Sequence, residues 1–108
     1  MTHLLIVETR TPLDCARLRG VELALDAAAD VGAHVTLWLF QDATQLLQLT
    51  DQQALAACAA HPRIAVYADA FAMIQRGVDA TAHPDVTVAG IDLFTEHLLA
   101  GDAKPVWH

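Results

Sequence analysis

Ile64-Ala-Val-Tyr-Ala-Asp-Ala-Phe-Ala-Met-Ile-Gln-Arg-Gly-Val78 starts as an apolar run of strand length, turns at Asp69 and continues as a helix that stops at Gly77. A strand feeding directly into a helix is half of a β-α unit, and the chain on either side repeats the pattern. Upstream, Leu4-Leu-Ile-Val7 is a solid apolar run, as expected for a strand covered on both faces. Thr11 can cap a following helix, Pro12 suits its first position and Asp14 meets its positive dipole end. Leu18, Val21, Leu25 and Ala28 keep helical spacing up to a stop at Gly32. Val35-Thr-Leu-Trp-Leu-Phe40 is the second strand.

Two short helices are expected next, over Ala43–Leu49 and Asp51–Ala60. The second has Thr50-Asp-Gln-Gln53 as a capping box and ends before Pro62. Arg63–Ala68 is the third strand and Ala70–Arg76 its helix. Val86-Thr-Val-Ala-Gly90 is the fourth strand, Leu93–Ala100 a helix closed by Gly101, and Pro105-Val-Trp107 a terminal edge strand, where proline is tolerated. Repeated β-α units demand right-handed crossovers, hence an α/β domain with a mostly parallel sheet of about five strands and helices on both faces. No repeat, low-complexity tract or linker divides residues 1–108, which read as a single domain. The order of strands in the sheet does not follow from the sequence.

Composition narrows the function. Apolar residues make up 55 % of the 108 positions, and alanine alone is about a fifth of the chain. A chain this small has limited interior for its larger apolar side chains, so an oligomer is expected. Six Lys and Arg against 13 Asp and Glu give a net charge of −7. Without a basic run the chain lacks the attraction to phosphates that nucleic acids and anionic membranes require. No apolar run approaches the roughly 20 residues of a membrane span. Met1-Thr-His-Leu-Leu-Ile-Val-Glu8 has no basic region and meets an acid too early for a signal peptide. Two cysteines build no disulfide framework, which fits a reducing cytoplasm.

In parallel sheets ligands bind outside the carboxyl ends of the strands. Glu8 and Arg10 fall there after strand one, Asp42 after strand two, Asp69 after strand three and Asp92 after strand four. Four carboxylates on one rim are a potential cation site, while the plainer reading makes Asp42, Asp69 and Asp92 helix N-caps. A response-regulator receiver is rejected: the adjacent acidic pair after strand one is missing, and no room remains for a helix after Pro105.

Cys15 falls near the first turn of the first helix on the same rim, where the dipole and Arg17 or Arg19 would favour its thiolate. Its plainer role is a small apolar side chain beneath the loop. Cys58 sits among alanines, and Cys58 with His61 makes one Cys-x-x-His pair without the second that zinc needs. The six histidines show no ligand spacing. No phosphate-binding glycine loop and no Gly-x-Ser-x-Gly elbow is present, so no cofactor or metal is expected.

The opening His3-Leu-Leu-Ile-Val-Glu8, the stretch Gly32-Ala-His-Val-Thr-Leu-Trp-Leu-Phe40 and the stop Gln75-Arg76-Gly77-Val78 together resemble the DsrE/DsrF-like family of small sulfur-relay proteins, which includes the TusBCD proteins. The resemblance implies a three-layer α/β/α sandwich, oligomerisation and a part in intracellular sulfur transfer. In the family's carrier subunits a persulfide-bearing cysteine sits eight residues before the glycine of the Arg-Gly-Val signature. Here that position is Asp69, which cannot carry a persulfide. The resemblance therefore implies a non-catalytic oligomeric subunit or binding partner of a thiol-bearing sulfur carrier, homo-oligomeric or assembled with related subunits. The alternative is a sulfurtransferase or persulfide carrier that uses Cys15. Val106-Trp107-His108 offers no thiol of the kind found on the carboxyl-terminal arm of DsrC-type partners.

Overall fold

The computed structural model describes residues 3–10, 19–30, 32–49, 52–79, 83–100 and 103–107. They form β1 (His3–Glu8), α1 (Arg19–Asp30), β2 (His34–Leu39), a 3-10 helix (Gln41–Gln48), α2 (Gln53–Ala60), β3 (Ile64–Asp69), α3 (Ala70–Arg76), β4 (Val86–Ala89), α4 (Ile91–Leu99) and β5 (Ala103–Trp107). Each strand lies on or beside an apolar run visible in the sequence. The first of the two short helices is the exception in kind, since it is 3-10 and not α, and its first residue, Gln41, has a left-handed φ of 51°. Residues 11–18, which carry the expected cap at Thr11 together with Pro12, Asp14 and Cys15, lie outside the described residues.

All four strand pairings are parallel and the order is β4-β3-β2-β1-β5. This order explains the layers. From β1 to β4 the chain adds each strand beside the last in one direction, so crossovers of one hand fall on one face. The return from β4 to β5 runs the other way, and the same handedness puts α4 on the opposite face. The core divides accordingly. On the first face Val21, Ala24 and Ala28 of α1, Leu46 and Leu47 of the 3-10 helix, Leu55 and Cys58 of α2 and Met73 of α3 pack on Ile6, Val35, Leu37, Leu39, Val66 and Ala68. On the second face Phe94 and Leu93 of α4 pack on Leu5, Val7, Trp38 and Tyr67. The result is the three-layer α/β/α sandwich, in which one outer layer consists, among the described residues, of the nine-residue α4.

Aromatic packing compensates for that thin layer. Trp38 is wholly buried at the centre of the sheet, stacked between Phe40 at 5.5 Å and Tyr67 at 5.0 Å, with Phe94 edge-on at 5.5 Å. Its indole Nε1 donates to His97 Nδ1 at 3.0 Å, which gives a buried N–H its partner and ties α4 to β2.

Gly77 ends α3 as the sequence predicts, with φ 62° and ψ 34°, its amide directed at the Ile74 and Met73 carbonyls. The Val78 amide bonds the Met73 carbonyl at 2.9 Å, closing the helix end. A Cβ at this position meets no described atom within 4 Å, so the cost of Gly77→Val is expected from the left-handed backbone. We expect Gly77→Val to lose about 1–3 kcal/mol, read as a lower melting temperature, with Gly77→Asn losing less because asparagine tolerates that conformation.

Candidate functional site

The carboxyl ends of the strands form one rim, and the sequence-derived residues reach it with different fates. Asp69 closes β3 and caps α3: the Ala72 amide donates to its Oδ2 at 3.1 Å. The side chain is 6 % exposed, and its other oxygen, Oδ1, is buried with no hydrogen-bond partner among the described residues. It thus combines a fixed cap with one unused acceptor. Removing the cap in Asp69→Ala is expected to cost about 0.5–2 kcal/mol, while Asp69→Asn should cost little because asparagine caps equally well. Comparing the two melting temperatures checks the assignment.

Glu8 does not present its carboxyl to the rim. It is wholly buried, and Oε1 accepts from the Gly20 amide at 3.1 Å, so it holds the start of α1 onto β1. The contact is close: a Cβ at position 20 would lie 3.3 Å from Glu8 Oε1, so a larger residue there would require the Glu8 side chain to give way.

Asp42 is not a cap. The helix start lies at Phe40, with no side-chain hydrogen bond, and Asp42 Oδ1 instead accepts from Arg76 Nε at 3.1 Å. This part-exposed pair, worth about 0–1 kcal/mol, links the 3-10 helix to the end of α3. Gln48 Nε2 makes a second link to the Gly77 carbonyl at 3.0 Å. Asp92 is not a cap either, since α4 is entered through Gly90, and Asp92 lies exposed in the first turn.

The four rim carboxylates therefore do not converge. Glu8 is turned beneath the rim to α1, Asp42 to Arg76 and Asp69 to α3, while Asp92 starts the helix of the opposite face. Among the described residues no three His, Cys, Asp or Glu side chains come together to hold a metal ion.

Arg10 is exposed and lines an open cleft of about 460 Å³ together with Thr9, Gln41 and Asp42, between the ends of β1 and β2. Nothing in the residue type at position 41 forecasts its left-handed backbone. Arg76, which the sequence marks only as part of the helix stop, proves to be the partner of Asp42.

Cys15 lies outside the described residues. Cys58 is buried on α2, its Sγ 3.7 Å from the Val21 carbonyl, and burial pushes its thiol up to about 12. Such a thiol has almost no thiolate near neutral pH and is a poor nucleophile. No pattern in the chain announces the exposed apolar side chains near Asp69: Phe71 is 66 % and Ile74 79 % exposed, on the side of α3 turned from the core, and Val88 of β4 is also exposed.

The fold and rim define a small α/β domain with a five-stranded, all-parallel sheet, and comparison with known proteins agrees. The crystal structure of the YchN protein from E. coli is similar over 100 % of both chains, with a TM-score of 0.77 and 18 % sequence identity. At that identity the likeness speaks to the fold, and it supports the DsrE-like fold expected from the sequence. No family model matches the chain, and a search of curated proteins gives no match. Among the described residues no helix is long and apolar enough to cross a membrane.

Proposed function

We propose that this chain is a non-catalytic subunit or binding partner in intracellular sulfur relay, which assembles with related subunits and docks a thiol-bearing carrier protein beside Asp69. The observation that carries this reading is the state of Asp69 and its surroundings. At the place where the resemblance puts a persulfide cysteine stands a buried carboxyl committed to capping α3, and the next turns expose Phe71 and Ile74. A surface with no nucleophile among the described residues but with uncovered apolar side chains suits docking better than group transfer. Cys58, buried and poorly ionised, gives no substitute for the missing thiol.

The test is intact mass spectrometry of the purified chain after exposure to a persulfide donor, with Cys15→Ser and Cys58→Ser beside it. The expected result is no added reducible sulfur. Uptake of one sulfur that disappears only in Cys15→Ser would replace this reading with a persulfide carrier using Cys15.

A further inference from the structure

The two edges of the sheet are not equivalent. β5 forms one edge and carries Pro105, which has no N–H to offer a further strand. β4 forms the other, pairs among the described residues with β3 alone and contains no proline. Thr87 and Val88 in it are exposed. Val88 lies on the same face of β4 as buried Val86, and α3, the helix that precedes β4 in the chain, exposes Phe71 and Ile74. Ile91, 56 % exposed, follows directly at the start of α4. A strand edge that no described strand covers, with exposed Val88 in it and exposed Ile91 next to it, is an arrangement that accepts an added strand.

Charge selects the occupant. From Gly77 to Ala103 the sequence has five acids, Asp79, Asp85, Asp92, Glu96 and Asp102, and neither lysine nor arginine. Asp85 and Asp92 bracket β4 and are exposed. Arg76, at the end of α3, is engaged by Asp42. A second copy of the chain meeting this edge across a two-fold axis would bring like charges together. With only six lysines and arginines in all, a copy is poorly supplied with the complementary charge.

We propose that the β4 edge is a docking site for an extended, basic segment of a different protein. That segment adds to the sheet beside β4, lays alternate apolar side chains along Phe71, Ile74 and Val88, and turns lysine or arginine toward Asp85 and Asp92. The inference rests on the reading of the chain as a docking subunit and names the chemistry of its partner.

The experiment uses the isotope-labelled full chain and two synthetic peptides of equal length, one alternating lysine with valine and one alternating glutamate with valine. The expected result is that only the lysine peptide binds and slows amide exchange within Val86–Ala89 at least tenfold. Its affinity should fall at least fivefold between roughly 50 and 500 mM salt. Ile74→Lys, at a position exposed enough to leave the melting temperature unchanged, should weaken that binding at least tenfold. Equal binding of both peptides, no binding, or protection confined to β5 would overturn the proposal. So would a dimer in sedimentation that Ile74→Lys dissociates, because it would assign the edge to a second copy. Sulfur uptake on Cys15 with selective lysine-peptide binding intact would remove the subunit reading and leave this surface standing.

Discussion

Trp38→Ala is expected to lower stability by about 3–5 kcal/mol, the range for deleting a large buried aromatic. Three losses coincide at this residue. The indole fills the centre of the face that α4 covers, and Trp38 is wholly buried. It also makes aromatic contacts with Phe40, Tyr67 and Phe94, and it supplies the donor that holds His97 of α4. Among the described residues few other buried side chains on that face can take over, since its buried cluster otherwise holds Leu5, Val7 and Phe94. For a domain of this size each kcal/mol shifts the melting point by about 4–8 °C, so the variant should melt at least about 12 °C lower. Trp38→Phe keeps the ring stacking and removes the N–H, and it should fall between the two. A Trp38→Ala protein melting within a few degrees of the parent would mean that the α4 layer contributes little to the cooperative unit.

Glu8→Leu should also destabilise strongly, for a different reason. Leucine matches much of the buried volume but offers no acceptor, so the Gly20 amide loses its partner where water does not reach. A buried donor left without a partner costs about 1–3 kcal/mol, and the close approach of Gly20 leaves little space for the branched side chain to settle. Glu8→Gln retains an oxygen acceptor and should recover most of the loss. Denaturant unfolding of the pair separates the two effects: equal destabilisation by both substitutions would show that the acceptor is not what matters at position 8.

The strands are legible in the sequence because buried parallel strands are solid apolar runs, and Leu4–Val7, Val35–Leu39 and Ile64–Ala68 stand out as such. Gly77 is legible because a glycine just after a helix whose last turn is basic marks a left-handed stop. Strand order is not, because nothing local distinguishes a chain that returns across the sheet from one that continues outward. The position of α4 on the face opposite α1, α2 and α3 follows from that order and is hidden with it.

At the rim, the kind of residue is readable but its partner is not. Asp42, Asp69 and Asp92 share a sequence position relative to their strands, yet only Asp69 caps a helix. Asp42 has an arginine 34 residues away within reach, and a one-dimensional pattern does not report that distance. His97 shows no ligand spacing in the sequence. Its actual role, accepting from Trp38, depends on a strand and a helix that lie 59 residues apart meeting across the second face.

The pairing of β1 with β5 sets Leu4 beside Lys104, so β1 is completed on that side by a strand made much later in the chain. At a synthesis rate of roughly 5–20 residues per second, β1 waits on the order of 5–20 s for this neighbour on the ribosome. Until then one side of an apolar central strand has open backbone groups, able to pair with another nascent chain or be held by a chaperone. The native sheet is therefore completed only after β5 has been made, a long-range closure of the kind that slows folding relative to local helix formation.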